Sequence, residues 1–235
     1  LTYKSLFAGA ESADKFDEVY TVTAEGNSLN TVANDKTSGE KSYNLGYVAQ
    51  SEYAITADSL YVYQLRAKLN RDTGYAGFVI AANGTDHYFA GGAFANDGDH
   101  KDKDGNQASH IVLYKNEWNG AQDAFGDHYT IAALEDAEGY GTWRVIYDGL
   151  TVKVQYIAKD GTWAYVAHDD GTIASLELPE GYYVAFGAHN RGGKGTGQRT
   201  INIKDAAFRS LNALDFDDNV NPEISSAEDF MAIRE

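Results

Sequence analysis

Four aspartates crowd one short stretch: Asp97, Asp99, Asp102 and Asp104, with Asn106 close behind. A hard cation such as calcium takes several oxygen ligands, and closely spaced carboxylates supply them. The spacing matches an EF-hand loop only loosely, since no glycine sits at the turn position and no Glu closes the loop. Lys101 and Lys103 dilute the field, so the same residues also read as a solvated polar loop. Asp205, far along the chain, is a further oxygen ligand if its strand bulges so as to turn it inward.

Trp118 is the candidate sugar platform. It sits in Asn116-Glu117-Trp118-Asn119-Gly120, where a flat ring can meet the C–H face of a pyranose while the flanking Asn and Glu bond its hydroxyls. The other reading is a ring folded back over a sheet edge. Asp86, His87 and Tyr88 follow the Asn83-Gly84 turn, and Asn190 and Arg191 open a Gly-rich loop. Either set suits the lining of a cleft, with Arg191 a planar donor fork; ordinary turn chemistry is the bland alternative. Gly192-Gly193-Lys194-Gly195 lacks the spacing and following helix of a phosphate loop. Trp143 alternates with Val145 and Tyr147, so it belongs to the core, and Trp163 is expected to pack across its hairpin.

Hydrolysis of a glycoside needs two carboxylates flanking the bond. The nearest string, Glu135-Asp136-Ala137-Glu138, stands before a Gly-Tyr-Gly turn rather than inside an alternating strand, so no catalytic residue is assigned. The histidines are scattered, without a metal-ligand pair at helical spacing.

A formal charge of −16 opposes contact with a nucleic-acid backbone or an anionic bilayer. No apolar run reaches the length of a membrane span. Cysteine is absent, which removes disulfides and thiolate zinc sites but leaves secretion open.

The elements that must hold these residues are strands. Asn83-Gly84, Asp104-Gly105, Asp148-Gly149, Asp160-Gly161 and Asp170-Gly171 punctuate β-like runs with residues that tolerate positive φ. The clearest run is Leu60 to Leu69, where Tyr61, Tyr63, Leu65, Ala67 and Leu69 share one face. Phe78 to Ala82 is apolar on both faces and is predicted to be central. Two separate short strands are expected at Tyr43 to Val48 and Tyr53 to Thr56, and a loop over Asn96 to Gln107. In the last strand, Thr200 to Leu211, Phe208 breaks the parity of Ile201 and Ile203, which predicts a bulge near Asp205. The fold class is therefore all-β, an antiparallel two-sheet sandwich over residues 1–211. Residues 212–235 read as an acidic linker and the start of a short C-terminal helix, with a capping box at Ser225-Ser226-Ala227-Glu228. The helix is either a docked tail or the opening of a following domain.

The order of Tyr43-Asn44-Leu45-Gly46-Tyr47, Gly74-Tyr75-Ala76-Gly77-Phe78-Val79-Ile80, Gly141-Thr142-Trp143-Arg144-Val145-Ile146-Tyr147-Asp148-Gly149, Tyr183-Val184-Ala185-Phe186-Gly187-Ala188 and Ile201-Asn202-Ile203-Lys204-Asp205-Ala206-Ala207-Phe208 resembles the concanavalin A-like (laminin-G-like) jelly roll of bacterial carbohydrate-active and surface proteins. The resemblance implies a sandwich whose first and last strands are adjacent in one sheet. It also implies sugar binding on the concave sheet or edge loops, often a structural calcium, and a multimodular parent. The expected function is a non-catalytic, lectin-like carbohydrate-binding module of a larger secreted or cell-surface protein. Its expected partners are a glycan and the other domains of the chain. An adhesin or spacer that contacts protein, and a glycoside hydrolase or lyase, are the alternatives.

Overall fold

The computed structural model describes residues 2–7, 20–25, 28–33, 44–69, 76–83, 86–92, 97–101, 104–105, 107–115, 129–191 and 201–210. Trp118, Asp102 and the expected C-terminal helix lie outside the described residues.

Alternation and hairpin turns give two antiparallel sheets. The strands, in chain order, are β1 (Thr2–Phe7), β2 (Tyr20–Glu25), β3 (Ser28–Ala33), β4 (Asn44–Ala54), β5 (Tyr61–Leu69), β6 (Ala76–Asn83), β7 (Asp86–Gly92), β8 (Asp97–Lys101), β9 (Gln107–Lys115), β10 (Tyr129–Ile131), β11 (Gly141–Tyr147), β12 (Thr151–Ile157), β13 (Trp163–Tyr165), β14 (Ser175–Glu177), β15 (Tyr183–Arg191) and β16 (Ile201–Ser210). The first sheet runs β1-β4-β15-β6-β7-β9-β10 with β8 against β9; the second runs β13-β12-β11-β5-β16-β3-β2 with β14 against β12. This is the two-sheet sandwich that the concanavalin A-like resemblance implies. Among the described residues no helix is long and apolar enough to cross a membrane.

The core lies where the inner faces meet. Tyr61, Tyr63, Leu65 and Ala67 of β5 face it, as their parity predicts. Trp143 of β11 joins the layers: its ring lies 5.6 Å from Phe78 in the opposite sheet and 5.7 Å from Tyr156 on the next strand. Burial of so large a ring is a main contributor to holding the sheets together. Phe78 to Ala82 are all buried, in a strand flanked by β15 and β7.

Four sequence expectations need correction. The two short strands over residues 43–56 are one eleven-residue strand, β4, whose length spans the pairing with both β1 and β15. The acidic stretch is not all loop, because Asp97 to Lys101 pairs with Ala108 and Gln107 as β8. His189, Asn190 and Arg191 do not open a loop: β15 runs through them, paired to Gly46, Leu45 and Asn44 of β4. Finally, the first and last strands are not neighbours. β1 edges the first sheet beyond β4, while β16 enters the second sheet between β5 and β3.

The bulge near Asp205 is present. The register against β5 shifts between Lys204 and Ala207, and Asp205 has φ +53°. Aspartate tolerates this left-handed conformation better than most residues.

Candidate functional site

Register separates the predicted ligand contacts. Across the first sheet, Tyr183, Ala82 and His87 form one row, whereas Asn190 lies level with Ala76 and Gly92. Six residues of β6 separate the two levels, about 20 Å at strand rise. Asp86–Tyr88 and Asn190–Arg191 therefore sit toward opposite ends of the sheet.

Alternation divides β7 as well. Tyr88 turns inward and meets Tyr182 edge-on at 5.2 Å. Asp86 has the same parity but is exposed at the rim. Burial, and then the charge of Asp86, push the Tyr182 phenol up. His87 points away from the core yet is fully buried, its ring 5.8 Å from Phe89. Phe89 explains a glycine: a Cβ on Gly77 would stand 2.9 Å from the Phe89 ring, 2.4 Å from the Ala90 carbonyl oxygen and 2.7 Å from Gly91 Cα. His87 and Tyr88 thus pack rather than present an open surface in this structure.

Asp205 stands apart from the other acidic candidates. Asp97 and Asp99 lie on β8 beside the first sheet, and Asp104 is exposed at its turn. Asp205 belongs to the second sheet, where the bulge turns it outward, against the inward turn its candidacy required. Its carboxylate accepts from Arg66 at 3.1 Å. Among the described residues, no group of three or more His, Cys, Asp or Glu is arranged to hold a metal ion.

The 135–138 carboxylates are occupied by structure. Asp136 accepts from the amides of Glu138 and Tyr140, at 2.8 and 3.0 Å, and pairs with Arg66. Glu138 pairs with Lys204 at 2.7 Å. The Tyr140 amide, with Arg66 and the Glu138 amide, holds Asp136 below the ordinary carboxylate value, and Lys204 does the same for Glu138. A general acid requires the opposite shift. The ring of Tyr140 lies under Lys204, Arg66 and Lys68, at 4.4, 5.4 and 5.9 Å. These contacts fasten the turn before β11 onto β5 and β16.

The most chemically pointed surface is the outer face of the second sheet, at its β13 margin. Register lines up Gln64, Arg144, Gln155 and Tyr165 across β5, β11, β12 and β13. Inward neighbours Trp143, Val154 and Tyr156 fill the core, so this row faces out. Arg144 is the only charge in its strand. Its Nε–H donates to the Gln64 side-chain oxygen at 3.1 Å, and its guanidinium lies 3.6 Å from the centre of the Trp163 ring. Burial lowers its pKa to about 10. Trp163 and Tyr165 remain partly exposed, and Tyr165 leans on Val62 and Ile146. Arg144 lies over one face of the indole, and Trp163 keeps part of its surface exposed. The result is an aromatic surface whose orientation is fixed before any ligand arrives.

Sequence reading gave Trp163 a packing role, which it has, and missed its exposure. Two signals pointed to it: Trp163 and Tyr165 two apart after an Asp-Gly turn, and an arginine inside an otherwise apolar strand.

No family model matches the chain, and no curated protein does. Solved structures similar to it include a functionally unknown protein from Saccharomyces cerevisiae, at 15% identity and TM-score 0.48, covering 81% of this chain and 92% of that one. The exoplasmic/lumenal domain of VIP36 in a Ca2+/Man-bound form is similar at 12% identity and TM-score 0.47, over 86% of this chain and 80% of that one. An alginate lyase from Alteromonas sp. 272 is similar at 7% identity and TM-score 0.42, over 84% and 96%. These similarities are of fold alone.

Proposed function

We propose that the chain is a non-catalytic carbohydrate-binding module of a larger secreted or cell-surface protein, with a saccharide stacked on Trp163. The observation that carries this reading is the partly exposed indole clamped from beneath by Arg144 at 3.6 Å. A pyranose offers a flat patch of C–H bonds to such a ring. A ring already held in place loses little conformational freedom on binding.

A glycan array followed by calorimetry tests the proposal. Trp163→Ala is expected to weaken binding by at least about tenfold, as loss of an aromatic anchor does. Silence across the array, or unchanged affinity in the variant, refutes it. Trp118, Asp86, Asn190 and Arg191 stay proposed as separate saccharide contacts, each tested by its own alanine substitution. A calcium clamp is proposed only for Asp97, Asp99, Asp102 and Asp104. A melting temperature that rises with calcium and falls with chelator would support it.

A further inference from the structure

Resting on the reading of Trp163 as a sugar platform, we propose that its ligand is an extended, unbranched saccharide chain lying along β13 over Trp163 and Tyr165 in turn, not a single terminal sugar held in a pocket. The two rings stand two residues apart on one strand, which places them on the same face about 7 Å apart. Ala164, between them, packs toward the core. Each ring has its own support. Arg144 lies beneath Trp163, and Val62 with Ile146 lies beneath Tyr165. The tandem is therefore rigid along the strand direction, where a chain would pass from one ring to the next.

The setting is a margin rather than a hollow. β13 pairs with β12 on one side, and the described residues place no strand beyond it. A sheet edge presents unpaired backbone groups, which proteins blunt with short strands, charges, proline or bulges. β13 is protected by its three-residue length and keeps two large, partly exposed rings. A protein partner fits less well. A stable interface buries about 800 Å² on each side. Two aromatic rings offer about 150–250 Å² each even when wholly available, and both are already part-covered.

Calorimetry with β-1,4-linked gluco-, manno- and xylo-oligosaccharides tests this, using the disaccharide and the hexasaccharide of each against wild type, Trp163→Ala and Tyr165→Leu. The leucine keeps an apolar side chain on Val62 and Ile146 while removing the ring. The expected result is a hexasaccharide bound at least about tenfold tighter than its disaccharide by wild type, a difference Tyr165→Leu abolishes and Trp163→Ala loses along with binding of both. In wild-type NMR spectra the disaccharide is expected to shift the Trp163 indole N–H, and the hexasaccharide to shift the Tyr165 ring as well. Equal affinity for the two lengths, or a length gain that survives Tyr165→Leu, overturns the chain and leaves the sugar platform standing. No heat from any oligosaccharide, with the Trp163 signal unmoved, overturns the carbohydrate reading itself and the chain with it.

Discussion

Arg144→Met separates stability from binding at the β13 margin. Methionine roughly keeps the length of the side chain and removes the charge. Two favourable interactions disappear: the stacking on Trp163 at 3.6 Å, about 2 kcal/mol when desolvated, and the hydrogen bond to Gln64, about 1 kcal/mol. One unfavourable contribution disappears with them. Burial lowers the guanidinium well below its ordinary value, to about 10. That corresponds to about 3 kcal/mol spent keeping a cation away from water. These nearly cancel, as is common when a buried ion gives way to an apolar residue. Urea unfolding should therefore show a change within about 1.5 kcal/mol. The indole, freed from its clamp, should lose near-ultraviolet dichroism, and saccharide affinity should fall about tenfold. A stability loss above about 3 kcal/mol would mean that Arg144 is a fold-holding residue. Unchanged affinity beside a changed indole signal would mean that ring order is irrelevant to binding.

Gly77→Ala forces a Cβ to 2.4 Å from the Ala90 carbonyl oxygen, and urea unfolding should show a loss of at least about 2 kcal/mol. Gly161→Ala meets open space but keeps φ +86°, so its loss should stay near about 1 kcal/mol. Asp205→Gly should leave thermal stability unchanged or raised, because it relieves φ +53° and gives up only an exposed contact with Arg66; Asp205→Val should lower it by about 1–2 kcal/mol. In acid, Asp148 decides the sign. Burial pushes its carboxyl up, but the Lys153 ammonium and the Thr151 and Leu150 amides outweigh this and hold it below its ordinary 3.8. Thr162 does the same for Asp160, and Thr172 for Asp170. Groups with a depressed folded pKa stabilise above their unfolded value and lose that contribution as pH falls through the folded one. Denaturation midpoints should therefore hold as pH falls toward about 4 and drop below it; a midpoint flat from pH 5 to pH 2 would refute these carboxylate contacts.

What could be read in the sequence was local. Gly105, Gly149, Gly161 and Gly171 each follow aspartate and each has φ between +83° and +92°, because only the residue itself decides whether that conformation is accessible. The bulge at Asp205 was legible for a similar reason: Ile201, Ile203 and Phe208 cannot share a face without one extra residue. The aromatic margin was only half legible: its residue types stood out, but their meeting depends on which strand lies beside which. Arg144 and Trp163 meet only because β12 lies between their strands and the three pair in register. The acidic residues misled for a related reason. A carboxylate that binds a metal and one that caps a turn look alike in a sequence. Asp136, Asp148, Asp160 and Asp170 each accept backbone amides two to four residues ahead. A carboxylate occupied in that way has fewer lone pairs left for a cation. These acidic turns thus serve the hairpins themselves, and the proposal of a saccharide site rests on the face where Arg144 is buried under an aromatic ring.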